Sequence, residues 1–228
     1  MSEILQAPIF SIDRHRMGID GQGVTTLVAF HGCTLRCRYC INSLCLRPDG
    51  IQRMITPQEL LDEVKIDNLY YIATGGGITF GGGEPALRSE FIECFCKIAP
   101  SDWHINLETA LNVERHHIER LLPYIDQYFI DIKDVNPKIY RRYTCANIKQ
   151  VLDNLEWLLS NDSIAQRIIV RLPLIKLYNT PEDVRHSREY LESIGVKHFD
   201  EFEYQSIHTP CDGSLPIMGC PDLTWKPK

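Results

Sequence analysis

Val24-Thr25-Thr26-Leu27-Val28-Ala29-Phe30 runs without a break into His31-Gly32-Cys33-Thr34-Leu35-Arg36-Cys37-Arg38-Tyr39-Cys40. The first seven residues are apolar or β-branched, the composition of a strand buried on both faces, as in parallel sheets covered by helices. Directly beyond that strand, Cys33, Cys37 and Cys40 fall within eight residues. Thiols at that density can converge on one inorganic centre, and no flanking residue is an obvious fourth ligand. The stretch therefore reads first as an iron–sulfur cluster loop with one iron open to another ligand. Zinc is the competing occupant for soft thiolates. A structural zinc site needs four closed ligands, for which His31 and Cys45 are the nearby candidates, but no second cysteine pair stands at a finger-like distance. A redox dithiol of Cys37 and Cys40 would leave Cys33 without a role.

Upstream, Asp20-Gly21-Gln22-Gly23 is a turn signal, and residues 1–20 suggest only a short strand or an ordered leader. Downstream, Thr56-Pro57-Gln58-Glu59 carries the signature of a capping box and opens a helix through about Val64. Two triple-glycine runs, Gly75-Gly76-Gly77 and Gly81-Gly82-Gly83, flank a short strand core and lead into Glu84. A helix to about Ala99 follows, then a strand over 104–107 ending in Glu108-Thr109, helical residues 113–122, and a strand over 128–133 that closes on Asp131-Ile132-Lys133. Ile148, Val151, Leu152, Leu155, Leu158 and Leu159 form one apolar stripe of a helix over 147–159. Strands over 168–172 and 198–204 bracket a last helix that starts at Thr180-Pro181-Glu182-Asp183. Strands alternating with helices predict an α/β chain with a parallel sheet, curved into a partial (β/α)6 barrel because a closed eight-strand barrel needs more chain. In such barrels function gathers at the C-terminal ends of strands. The cysteines, the glycines with Glu84, Glu108, and Asp131 with Lys133 all fall on that rim.

All 228 residues are expected to form one domain, with a core over about 20–208 and an irregular tail over 209–228. A composition 44% hydrophobic and 24% charged is that of an ordinary globular chain. The net charge of −6, with no lysine or arginine block, argues against nucleic acid as a partner. Neither a run of eighteen apolar residues nor a basic–apolar leader is present, so no membrane span and no export signal are expected, and the setting is cytoplasmic. Nine cysteines are an odd count that suits ligands and free thiols in a reducing compartment better than a disulfide framework. Cys94, Cys96 and Cys145 read as small, partly buried hydrophobes. Cys211 and Cys220 in the tail are candidates for a redox pair or a labile metal site.

Cys33-x-x-x-Cys37-x-Tyr39-Cys40 resembles the signature of the radical S-adenosylmethionine superfamily. The resemblance implies that the three cysteines hold a [4Fe–4S] cluster, that Tyr39 is the aromatic residue before the last ligand, and that S-adenosylmethionine occupies the open iron. Gly82-Gly83-Glu84 is similar to the family motif that contacts the methionine moiety. Asp20-Gly21-x-Gly23, Gly32, Asn42, the glycine segment and Asp131-Ile132-Lys133 follow the order seen in glycyl radical enzyme activating enzymes such as the pyruvate formate-lyase activating enzyme. By that resemblance Glu108, Asp131, Lys133 and Arg171 line the cofactor site, with Lys133 and Arg171 as catalytic candidates and Gln205 near the place of a family histidine. Gln22, Thr25 and Ile41 differ from residues common in the pyruvate formate-lyase branch. No cysteine lies between Cys45 and Gly75, which implies one cluster rather than several. The implied partners are a glycyl radical enzyme and a low-potential donor such as flavodoxin or ferredoxin. Two other readings stay open: radical chemistry on a small molecule or peptide, as in 7-carboxy-7-deazaguanine synthase, and a non-catalytic zinc module.

Overall fold

The computed structural model describes residues 4–204. Gln205, Cys211 and Cys220 lie outside them. Six strands, β2 (Val24–Phe30), β4 (Gly77–Gly82), β5 (His104–Thr109), β6 (Gln127–Asp131), β7 (Ile168–Leu174) and β8 (Phe199–Glu203), pair in that order and all in parallel. These are the six strands expected from the sequence. The helices between them are α1 (Pro57–Val64), α2 (Asn68–Thr74), α3 (Ser89–Ile98), α4 (Arg115–Leu121), α5 (Pro137–Thr144), α6 (Lys149–Leu159), α7 (Asp162–Ala165) and α8 (Pro181–Ser193). Thr56 and Thr180 each complete a capping box, with Glu59 and Asp183 respectively, which fixes where α1 and α8 begin.

Among the described residues the sheet has eight strands, the six parallel ones and two more. Those two, β1 (Ala7–Met17) and β3 (Arg53–Ile55), add antiparallel to one edge in the order β3-β1-β2. The eleven-residue β1 stands where the sequence suggests only a short strand or an ordered leader. Its outer half shows no apolar alternation because Arg14, His15 and Arg16 are its working residues. Arg14 and His15 grip the buried Asp67 carboxylate at 2.6 and 2.9 Å, and Arg16 pairs with the buried Asp20.

The sheet is strongly curved. In the pairing order β7 stands four places from β2, about 19 Å away in a flat sheet. Arg171 on β7 nevertheless donates to the carbonyl of Ile19, in the turn that precedes β2, at 2.9 Å. That turn tucks into the concave face: the Asp20 carbonyl accepts from Thr79 on β4 at 2.5 Å and from Asn106 on β5 at 3.2 Å. Among the described residues the outer strands β3 and β8 do not pair, so the sheet does not close on itself. The main core fills the helix-covered face, and a small second cluster of Tyr39, Tyr143, Ile175 and Tyr178 lies by the cysteine loop.

Candidate cluster and cofactor site

The ends of β2 and β4 are stitched together. Gly83 donates to the Phe30 carbonyl at 2.9 Å and Glu84 to the Gly32 carbonyl at 2.8 Å. A Cβ at Gly83 would lie 2.2 Å from the Gly32 carbonyl oxygen, so this contact requires glycine. The Asn42 side chain adds a third tie, donating to the Gly82 carbonyl at 2.9 Å. On its other side the cysteine loop rests on the C-terminal end of α5. The Arg36 and Arg38 amides donate to the Thr144 and Tyr143 carbonyls at 2.9 and 3.0 Å, satisfying acceptors that the helix end leaves open. Cys145, left-handed at φ +60°, ends that helix.

These ties place Cys33, Cys37 and Cys40 on a cavity of about 590 Å³ shared with Gly82, Gly83, Glu108, Asp131, Lys133 and Arg171. Most of the expected site residues therefore meet in one space. Lys133 lies 3.2 Å from the Asp131 carboxylate. Burial opposes its charge, but Asp131 and the Cys37 sulfur outweigh burial and push the ammonium up. Arg171 donates to Glu108 at 2.7 Å and stacks 4.5 Å over the Phe129 ring. Burial pushes Glu108 up to about 7 even with that partner. Asp13, Arg16, Asp200 and Phe202 also line the cavity and are not visible as site residues in the sequence. They come from β1 and β8, near the two ends of the sheet.

Two expected residues are placed differently. The Tyr39 ring turns away from the cavity to pack edge-on against Tyr143 and Tyr178. Glu84 is buried, and its carboxylate accepts from Thr109, Ala110 and Ala86 at 2.7, 3.0 and 3.2 Å. It ties the end of β4 to the end of β5. Burial pushes it up to about 7.

The thiols differ from one another. A hydrogen bond from the Cys45 thiol, helped by Lys133 and Arg36, brings Cys40 down to about 7, whereas burial pushes Cys37 up to about 12 and Cys33 up as well. Metal ligation needs thiolates, so a cationic centre would supply the charge that burial denies Cys33 and Cys37. The surroundings suit such a group. Five buried side-chain atoms among the described residues lack a hydrogen-bond partner, and four of them adjoin the cysteine loop: the hydroxyls of Thr34, Tyr140 and Tyr143 and the Nε of Arg88. The Tyr143 hydroxyl stands beside that of Tyr204, whose proton goes to the Tyr39 carbonyl at 2.5 Å and whose oxygen can still accept. All four are donors, and the thiolates and sulfides of a cluster are acceptors. No group of three His, Cys, Asp or Glu residues among the described residues could hold a single metal ion. A cluster spreads its ligands over several irons, and the three cysteines are compatible with that arrangement.

Residues 27–191 match the Radical SAM superfamily. Among curated proteins, the (2S)-3-sulfopropanediol dehydratase activating enzyme of Klebsiella oxytoca is 33% identical over 163 residues, 69% of this chain and 49% of that protein. The choline trimethylamine-lyase activating enzyme of Oleidesulfovibrio alaskensis is 24% identical over 96% of this chain and 91% of that protein. The chain thus spans about half the length of the first and most of the second. Among solved structures, Streptococcus suis SuiB bound to S-adenosylmethionine shares the fold, with a TM-score of 0.58 at 12% identity over 79% of this chain and 42% of that one. No helix among the described residues is long and apolar enough to cross a membrane. The chain belongs to the radical SAM superfamily, whose members work with an iron–sulfur cluster and S-adenosylmethionine.

Proposed function

We propose that this chain is an activating enzyme that generates a glycyl radical on a partner enzyme, using one [4Fe–4S] cluster held by Cys33, Cys37 and Cys40. The observation that carries the reading is the meeting of those cysteines with Gly82, Gly83 and the Asp131–Lys133 pair on one cavity at the C-terminal rim. Similarity to two activating enzymes of different glycyl radical systems supports it. When bound, the cluster and S-adenosylmethionine supply a 5′-deoxyadenosyl radical that abstracts hydrogen.

The chain's own residues bind, orient and shield. Backbone at Gly82 and Gly83 lets a ligand approach closely, while Asp131 offers an acceptor to an ammonium and Lys133 a donor to a carboxylate. Arg171, fixed by Glu108 and the Ile19 carbonyl, is a rigid donor on the far wall. The side between β3 and β8 admits a polypeptide loop, which a closed barrel would obstruct. The electron comes from a low-potential donor of the flavodoxin or ferredoxin type.

The test is anaerobic reconstitution followed by electron paramagnetic resonance with a glycyl radical enzyme encoded beside this chain. A glycyl radical doublet is expected after reduction with S-adenosylmethionine present. Cofactor cleavage with no protein radical would overturn the activase reading and leave the radical chemistry standing.

A further inference from the structure

The cysteine loop has two faces. One lines the cavity, which has to admit both the cofactor and a stretch of substrate polypeptide. The other rests on α5 and on residues 175–178, where the rings of Tyr39, Tyr143 and Tyr178 meet edge-on with centroids 4.9, 5.5 and 6.3 Å apart. The Cys37 side chain packs directly against these rings. Outside them lies the exposed Arg142, its guanidinium 5.2 Å over the Tyr178 ring and donating to the Leu177 and Tyr178 carbonyls at 3.2 and 2.5 Å. Those neutral acceptors fix the direction of the charge without cancelling it.

The charge on this face is unlike that of the rest of the chain. Across all 228 residues, 30 acids outnumber 24 lysines and arginines. The three segments that build the face, residues 32–46, 135–148 and 172–181, carry Arg36, Arg38, Lys138, Arg141, Arg142 and Lys176 and no aspartate or glutamate. Lys138, Arg141 and Arg142 are exposed at i, i+3 and i+4 spacing on one side of α5. Lys176 is exposed on the neighbouring loop beside Leu177, itself 55% exposed. Asp183, an acid near Arg142 at the start of α8, is held by Thr180 in its capping box. A cationic rim around an exposed apolar residue, on a protein that is acidic overall, fits an acidic protein partner.

We propose that this face docks an acidic, low-potential redox protein, which delivers its electron past the Tyr178 and Tyr39 rings to the centre held at Cys37. The inference rests on the reading that Cys33, Cys37 and Cys40 bind a [4Fe–4S] cluster. One electron leaves the donor and enters that cluster, while no bond is made or broken and no proton moves. Delivery from this side leaves the cavity to the cofactor and the substrate polypeptide, so donor and substrate do not compete for one opening.

The experiment uses two double variants that change net charge equally: Arg141→Glu with Lys176→Glu on the face, and Lys65→Glu with Lys197→Glu outside those segments. A purified flavodoxin and, in parallel, a purified ferredoxin are the probes. Titration calorimetry on the metal-free chain reads docking. Stopped-flow absorbance on the reconstituted chain reads the rate of reduction by each probe, divided by the rate with photoreduced 5-deazaflavin, a donor too small to need docking. The face variant is expected to bind at least one probe about tenfold more weakly and to lower the rate ratio by a similar factor, with the control variant near wild type. Equal losses in both variants would mean that net charge alone drives association and would overturn the proposal. So would a wild type that binds neither probe, or a face variant that binds both as tightly as wild type. Failure of the wild type to take up iron and sulfide would instead sink the cluster reading while calorimetry still reported docking, and the two failures are therefore distinct.

Discussion

The Asn42 side-chain amide donates to the Gly82 carbonyl at 2.9 Å, joining the loop that carries the cysteines to the glycine end of β4. One such bond is worth about 1 kcal/mol. Asn42→Ala should therefore fold, melt only a few degrees lower, and release iron to a chelator several-fold faster than wild type. Asn42→Asp, which sets a carboxylate against a carbonyl, should release it faster still. Iron-release kinetics monitored by absorbance check the order.

Glycine at position 83 is needed for contact rather than flexibility. Gly83→Ala would press a methyl to 2.2 Å from the Gly32 carbonyl, whereas Gly18→Ala meets nothing within 4 Å and carries only the strain of φ +68°. Overpacking of the first kind costs about 1–3 kcal/mol and displaces the residue beside Cys33, so Gly83→Ala should lose most of its cluster on reconstitution. Gly18→Ala should lose about 1 kcal/mol of stability and keep its iron. Iron assays paired with thermal melts separate the two.

Arg171 and Glu108 form a half-buried pair at 2.7 Å. In Arg171→Met the Glu108 carboxyl loses the cation that favours its ionised form, and its pKa rises above the wild-type value of about 7. A carboxyl whose folded pKa is raised keeps its stability below its unfolded pKa and loses it as pH climbs toward the folded one. The deficit of Arg171→Met relative to wild type should thus be small at pH 5 and grow toward pH 9, reaching about 3 kcal/mol there. Urea unfolding of the metal-free protein at the two pH values tests this.

Glu84 follows the same sign. Burial lifts it to about 7 from an unfolded value near that of a free glutamate. Its contribution is fully present below about pH 4 and is lost progressively up to about pH 7, by roughly 3–4 kcal/mol in all. Glu84→Gln cannot titrate. The stability difference between wild type and variant should fall across that window and level off above it, whatever the absolute stability of the variant.

The ligand set has its own test. Cys33→Ala, Cys37→Ala and Cys40→Ala should each abolish stable iron uptake. Cys45→Ala should retain iron, because Cys45 serves as a hydrogen-bond partner of Cys40 in the metal-free protein. Cys94→Ala should be neutral. Iron and sulfide assays on the five reconstituted variants give the answer.

β2, β4, β6 and β7 were legible because each is a short run rich in apolar or β-branched residues, whereas β8, Phe-Asp-Glu-Phe-Glu, is largely acidic. The convergence of the strands also placed most of the expected site residues on the cavity. Strand β1 was hidden because Arg14, His15 and Arg16 interrupt its alternation, and the partners that make those charges tolerable, Asp67 and Asp20, are remote in sequence or lie in a turn. Helix α5 escaped notice because its buried positions are Tyr140, Tyr143 and Thr144 rather than an aliphatic stripe. Asn136 followed by Pro137, a cap and a first-turn proline, was the available clue. The direction of the Tyr39 ring and the tie made by Glu84 depend on partners from α5 and β5, and no local pattern encodes them.

The seating of the cysteine loop on the Thr144 and Tyr143 carbonyls also sets an order of events during synthesis. The last of the three cysteines emerges about a hundred residues before the shelf that holds it, an interval of roughly 5–20 s at ordinary elongation rates. Throughout that time the thiols lack the backing that fixes their spacing. Cofactor insertion is thereby tied to a polypeptide that already includes α5, and any truncation upstream of α5 should give a product that cannot be matured.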